Sequence, residues 1–314
     1  CSSWYYLRYA DSKNAEKAFD KDKVDKMLPV DKYVGGAEHA CSHLLYSRFI
    51  TKALKDMGYI DFDEPFLSLV HQGVILGPDG TRMSKSKGNI INPDKYIAEY
   101  GSDIFRLYLM FGFSYTEGGP WNEEGLKSIA KFADRLERAI THAKDYAEKA
   151  VSPAGEKELA YALNYAIKNI SENLESFSFN TAVARLMELV NVMYKVDGCV
   201  SKKSYEDTAK TVIRLIAPMM PHVAEELYHE FGGEGFIMDA EYPVFDPQKL
   251  VKDEVELALQ INSRVKSKIV VPTSATSKEI EALALADEKV VSLLEGKTPK
   301  KVIVIPGRIV NIVV

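Results

Sequence analysis

Apolar positions recur at two different periods along the chain, and the change of period divides it. From Trp121 to about Phe231 they return every three or four residues, and Leu126, Ile129, Ala133, Leu136 and Ile140 form one buried helical stripe. Further helices are predicted over 156–175, 180–197 and 204–217, the last opened by Ser204 and Asp207 at capping-box spacing. Pro218 and Pro221 interrupt the pattern, and a fresh helix should start at Pro221. This predicts an antiparallel bundle of about five helices. Gly232-Gly233 and the proline-containing stretch 243–247 read as a linker, after which the period shortens to two. There "EVELALQIN" and "RVKSKIVV" read as paired strands, "SKEIEALALADEKVVSLLEG" as one or two short helices, and the last residues as a hairpin turning at Pro306-Gly307.

The first 120 residues follow neither rule throughout. An aromatic run, Trp4 to Tyr9, precedes an apolar stretch ending at Gly35-Gly36, an amphipathic segment 37–57 and a strand-like run over 67–76. Strands alternating with helices predict an α/β unit. Turn residues 77–80 lead into a loop rich in lysine and serine. Asn92-Pro93 and Gly101-Ser102-Asp103 then give cap signals for two successive helices.

Composition narrows the class. With 314 residues, 46% hydrophobic and 27% charged, the chain suits a globular protein of two or three domains, and no run of about 18 apolar residues marks a membrane span. Cys1, Cys41 and Cys199 are too few and scattered for a disulfide framework or zinc ribbon, which points to a reducing compartment, by default the cytoplasm. The net charge of −5 argues against nucleic-acid binding by bulk charge, although residues 254–314 carry nine Lys/Arg against seven Asp/Glu. The chain starts with Cys1 and shows no signal peptide, so it reads as the interior of a longer one.

Three stretches could carry chemistry. In "GTRMSKSKGN", residues 80–89, Lys85 and Lys87 alternate with Ser84 and Ser86, and Gly88 lets the backbone approach a ligand. Such a loop suits a polyphosphate, because phosphoryl and nucleotidyl transfer depend on positioning and charge stabilisation at phosphate oxygens. In "YVGGAEHACSH" the Gly35-Gly36 pair ends a strand and opens a helix whose first-turn Glu38 could accept from ribose hydroxyls. His39 and His43, four apart, suit a buried, hydrogen-bonded pair walling a pocket; a zinc site is set aside, since Glu38 precedes the first histidine and no third ligand is evident. Ser2, Ser3, Trp4, Tyr5 and Tyr6 offer aromatic surface either for core packing or for an apolar substrate pocket.

Taken in order, "SSWYYLRY", "VGGAEHACSHLLYSRF", "GPDGTRMSKSKGNIINPD", "YGSDIFRLYLMF", "GGPWNEEGL", "APMMPHVAEELY" and the terminal "ALADEKVVSLLEGKTPKKVIVIPGRIVNIVV" resemble the bacterial-type leucyl-tRNA synthetases. The loop resembles the KMSKS loop of class I synthetases. The resemblance implies an ATP-dependent leucine–tRNA ligase, with magnesium accompanying ATP and no protein-bound metal. It implies that Gly35, Gly36, Glu38 and Met83 contact the adenylate, that Arg82, Ser84, Lys85 and Lys87 serve the transferring phosphates, and that Tyr5, Tyr6, His39 and His43 line the leucine pocket. It also implies that Arg264, Lys266, Lys268, Lys300, Lys301 and Arg308 contact tRNA.

The family's facing His-x-Gly-His motif does not occur among the six histidines, and "HQGV" at 71–74 is a look-alike inside a strand. The chain is therefore expected to be the C-terminal portion of such an enzyme, without the editing domain and inactive alone; the alternative is a non-catalytic tRNA-binding fragment or subunit. Two departures stand out. Arg82 replaces the first lysine of the loop motif, keeping charge but not a point-like ammonium, and Ser263 and Ser267 stand where relatives usually have glycine. The expected fold is α/β plus all-α: a partial Rossmann-like core over 1–90, connecting helices over 91–120, an anticodon-binding type bundle over 121–247 and a small α+β domain over 248–314.

Overall fold

Parallel strand pairs organise the first part of the chain. In the structure, a computed structural model describing residues 1–251, 254–272, 275–294, 299–305 and 308–314, the chain divides into two units, Cys1–Phe245 and Asp246–Val314. The first begins with helices α1 (Tyr5–Ala10) and α2 (Lys21–Met27), then strand β1 (Tyr33–Gly36), a 3₁₀ turn (Ala37–Cys41) and α3 (His43–Asp56). The segment 37–57 is therefore not one helix. It breaks at Ser42, whose φ −129° and ψ −97° fit no helix.

Strand β2 (Leu69–Gln72) runs parallel to β1 and β3 (Val74–Leu76) parallel to β4 (Gly118–Pro120). The single strand read over 67–76 is thus two. Gly73 separates them, donating its N–H to the Tyr115 carbonyl at 2.7 Å. A Cβ at Gly73 would strike the backbone of Glu117 and Gly118, and one at Gly118, where φ is +74°, would strike the backbone of Val74. Only glycine at both positions allows this approach. Helices α4 (Pro93–Tyr100) and α5 (Ser102–Phe111) lie where two helices are expected, but the region 91–120 also holds β4. Gly-Gly-Pro offers no alternation by which to detect it.

The bundle comprises α6 (Glu123–Thr141), α7 (Pro153–Glu175), α8 (Phe179–Lys195), α9 (Lys202–Ile216) and α10 (Pro221–Glu230). All five residues of the predicted stripe on α6 are buried. The core is continuous from Tyr96 to Ile237, so α4, α5 and the bundle share one apolar interior. Lys32, just before β1, donates to the Glu175 carbonyl at 3.0 Å at the end of α7 and lies over the Phe177 ring, tying the first strand to the bundle.

Two cap assignments change. Ser201, not Ser204, caps α9, accepting from the Ser204 N–H at 3.2 Å. Asp103 does not cap its own helix: it is buried, and its carboxylate accepts from the N–H groups of His222 and Val223, both at 2.8 Å, and pairs with His222 Nδ1 at 2.8 Å. It satisfies the N-terminal donors of α10 from 119 residues away.

The second unit holds β5 (Glu254–Ile261), β6 (Arg264–Pro272), α11 (Ser277–Ala286), α12 (Glu288–Leu294), β7 (Lys301–Ile305) and β8 (Ile309–Val313), in one sheet of order β6-β5-β8-β7. Thr276 and Glu279 form a reciprocal capping box on α11. β7 and β8 pair antiparallel as expected, while the turn at Pro306-Gly307 lies outside the described residues. Asn262 (φ 48°) and Ser263 (φ 65°) make the β5–β6 turn, and two successive positive φ values explain why glycine suits position 263.

Asp103→Ala leaves two α10 N–H groups without their charged acceptor, and is expected to destabilise the first unit by about 2–3 kcal/mol. Urea denaturation followed by circular dichroism checks this. An unchanged midpoint would mean that the cap contributes nothing.

Candidate active site

Loop 77–89 springs from the end of β3. Gly77 accepts from Gly80 N–H and donates to Thr81 O, and a bridge pairs Leu76 with Arg82, so the turn doubles the chain back. Ser84 caps the 3₁₀ turn Lys85–Lys87, its Oγ accepting from the Lys87 N–H at 3.3 Å, and Gly88 closes it at φ 67°. Met83 packs against the main core, which makes it the loop's apolar anchor. Lys85 and Lys87 project outward and are exposed. Among the described residues the Lys85 ammonium has no hydrogen-bond or ion-pair partner, while Lys87 reaches Thr81 Oγ1 at 3.5 Å.

Gly35 and Gly36 end β1 beside this loop. No heavy atom lies within 4 Å of where a Gly35 Cβ would stand, whereas at Gly36 a Cβ would meet the Glu38 carboxylate. Glycine there lets Glu38 fold back over the strand end. Glu38 in turn lies 3.7 Å from Arg82, so the strand end and the lysine loop meet across one exposed ion pair. The first-motif arginine is thus accounted for: it faces the glutamate read as a ribose acceptor.

The aromatic residues separate. Tyr6 is buried among Leu7, Val24 and Ile60, with its hydroxyl 2.8 Å from Thr51 Oγ1 and donating to Ser47 O at 3.3 Å. Tyr5 instead stacks on His43 at 6.1 Å and its hydroxyl lies 2.8 Å from that of Tyr33, which lies 2.6 Å from His43 Nε2. Tyr33 also stacks on Phe66 at 3.8 Å. His39 is exposed, so the pair is not buried together as read; its ring meets His43 edge-on at 6.2 Å, because the 3₁₀ turn displaces it from the face of α3. Sequence reasoning missed Tyr33, whose one signal is its place immediately before Val34-Gly35-Gly36. Burial, aided by His39 nearby, holds the His43 imidazole below its ordinary value.

In the second unit the six basic candidates do not form one row. A bulge at Leu259/Gln260 leaves Lys266 without a register partner and breaks the alternation of β6, so Arg264 and Lys268 face different sides. Lys268 is paired with Glu256 at 2.7 Å. Arg264 and Lys301 lie at the same end of the sheet, as the pairs Ile261↔Arg264, Ile261↔Ile312 and Lys301↔Val313 show, with Lys300 beside them. Arg308 lies toward the other end, before β8.

A glycine-ended strand faces a Lys/Ser loop and is followed by a helical bundle, and similarity to known proteins places this arrangement among the class I tRNA synthetases. The family described as "tRNA synthetases class I (I, L, M and V)" matches residues 7–118, and "Anticodon-binding domain of tRNA ligase" matches 156–282. The whole chain is 56% identical to a leucine–tRNA ligase of Clostridium kluyveri and 54% identical to one of Caldanaerobacter subterraneus, spanning 40% and 39% of their lengths. Among solved structures, the ternary LeuRS–tRNA–LeuAMS complex of Agrobacterium radiobacter K84 is 33% identical, with TM-score 0.85 over 99% of this chain and 42% of that one. The chain belongs to the leucine–tRNA ligase family.

His43 is expected to titrate below about 6.5. Because the folded state holds that proton less tightly than the unfolded state, stability from neutral His43 is complete above the unfolded value and is lost as pH falls through the folded one. Imidazole NMR titration checks it; a midpoint at or above 6.5 contradicts the environment described.

Proposed function

We propose that the chain supplies the ATP-phosphate loop and one wall of the adenylate site of a leucine–tRNA ligase, together with tRNA-contacting surfaces. The observation that carries the reading is the Glu38–Arg82 contact, which joins the strand end bearing Gly35-Gly36 to the loop bearing Lys85, whose ammonium has no partner among the described residues. The leucine carboxylate attacks the α-phosphorus of ATP, forming the acyl–phosphate bond as pyrophosphate leaves. The carboxylate is already a nucleophile, so no general base is required. Lys85 and Lys87 stabilise charge on the departing phosphates, with Arg82 and Ser84 shaping the loop, and the open backbone at Gly35 admits the adenosine. Tyr5, Tyr33 and His43 wall the leucine side chain. Mg²⁺ arrives with the nucleotide, held by phosphate and water.

Two surfaces are assigned to partners. Parallel sheets are ordinarily covered on both faces, yet β1–β2 is a pair and α3 exposes Leu45, Tyr46 and Phe49; we assign this face to the remainder of the catalytic core. Arg264, Lys266, Lys300 and Lys301 are assigned to tRNA backbone, with binding that weakens as salt rises. No helix among the described residues is long and apolar enough to cross a membrane, and the free cysteines suit a cytoplasmic enzyme.

Leucine-dependent ATP–pyrophosphate exchange tests the reading. The chain alone is expected to be silent, and activity is expected on mixing with a separately made N-terminal portion of a leucine–tRNA ligase bearing His-x-Gly-His. Lys85→Ala should then lower kcat about 100-fold or more. Exchange by the chain alone contradicts the divided site, and full activity of Lys85→Ala contradicts the phosphate loop.

A further inference from the structure

Asn89 lies just beyond the lysine turn, in no helix or strand, yet its side chain joins both ends of the loop. Its Oδ1 accepts from the Ser84 N–H at 2.9 Å. Its Nδ2 faces the two Asp79 oxygens at 3.2 and 3.3 Å, Thr81 Oγ1 at 3.1 Å and the Arg82 carbonyl at 3.4 Å, sharing two N–H groups among these acceptors. Asp79 accepts further from the Thr81 N–H at 3.0 Å and the Thr81 hydroxyl at 2.9 Å. Those donors, the Thr81 N–H foremost and Asn89 next, hold the Asp79 carboxyl below its ordinary range, so it stays an acceptor.

The chemistry fixes the amide's orientation. A carboxylate can only accept and a backbone N–H can only donate, so nitrogen must face Asp79 and oxygen must face Ser84. An aspartate at 89 lacks the donor, and a leucine lacks both groups. Ser84 begins the 3₁₀ turn carrying Lys85 and Lys87, so the bond at its N–H sets where that turn starts. Gly77 leaves room for the arrangement, since a Cβ there would stand 2.8 Å from Asp79 Oδ1 and 2.9 Å from Asn89 Nδ2.

We propose that Asn89 and Asp79 are positioning residues: their amide–carboxylate pair latches the loop so that Lys85 and Lys87 are presented to the phosphates of ATP. The proposal rests on the reading of this loop as the phosphate site. Neither residue touches the nucleotide; both act through the turn.

The test is a reciprocal exchange. Asn89→Asp keeps the shape and the acceptor for Ser84, but removes the donor and sets two carboxylates face to face. Mg·ATP binding by the 314-residue chain mixed with the N-terminal portion bearing His-x-Gly-His, followed by equilibrium titration, is expected to weaken about tenfold, the size of one charge-assisted hydrogen bond. Combining Asn89→Asp with Asp79→Asn rebuilds the pair with its donor on the other side, and is expected to return within about threefold of wild type. A general folding defect is not reversed by a second substitution. Wild-type affinity in Asn89→Asp, or a double variant as weak as the single, overturns the proposal.

Lys85→Ala serves as the control for the underlying reading. If it binds ATP like the wild type, the phosphate-site reading fails, and with it the nucleotide half of this proposal. The latch itself is then decided by backbone hydrogen exchange over 81–89. Faster exchange in Asn89→Asp that is restored in the double variant supports it, and unchanged exchange overturns it.

Discussion

The candidate site depends on the close approach of two backbones, Gly73–Val74 against Glu117–Gly118, where no side chain fits. That approach pairs β3 with β4, and the Leu76 carbonyl accepts from the Trp121 N–H at 3.0 Å. Leu76 is the last residue before the lysine loop, and Trp121 leads into α6. Trp121 packs among Tyr96, Phe105 and Tyr108 in the large core. One seam therefore joins the loop to the bundle. The loop's root is hydrogen-bonded to a residue of the core, while Lys85 and Lys87 at its tip are exposed.

This division of labour suits phosphate chemistry. Lysine charges on an exposed loop are strongly screened by water, and the Glu38–Arg82 pair is likewise exposed, so neither contributes much to stability. On the proposed reading their electrostatic effect would grow as a nucleotide displaced that water. Energy holding the fold is found elsewhere, in the continuous core from Tyr96 to Ile237 and in the buried Asp103 carboxylate that satisfies α10. The residues that hold the fold and the exposed charges of the loop are thus different, connected through Met83 and the seam.

The bundle was legible because each helix buries a stripe at a period of 3.6: the five α6 residues named from spacing alone are all buried, with Phe132 and Ala139 beside them, and Pro221 opens α10 as read. In the second unit the pairs β5–β6 and β7–β8 were legible from alternation, but the parallel β5–β8 pairing that joins them into one sheet was not, nor was the bulge in β6. β4 was not, since Gly-Gly-Pro has no side chains to alternate. Asp103 looked like a cap for its own helix because sequence carries local spacing and not the approach of a helix 119 residues away. At the candidate site the sequence pointed to charged and glycine positions, because residue type restricts the chemistry there, and the structure brings the Gly35-Gly36 strand end and the lysine loop together at Glu38 and Arg82. Tyr33 and Asn89 escaped, because a lone tyrosine at a strand start and an asparagine after glycine have ordinary structural uses everywhere.

The most direct measurement is Mg·ATP affinity of the chain mixed with the N-terminal portion bearing His-x-Gly-His, in Gly118→Ala, with Lys85→Ala beside it and hydrogen exchange of α6 to α10 as the control. Residue 118 belongs to the seam and not to the lysine loop. The account predicts that its methyl group pries β3 from β4 and weakens ATP binding as far as Lys85→Ala does, while the bundle keeps its protection. Wild-type affinity in Gly118→Ala would contradict it, because the loop would then hold its place without the seam.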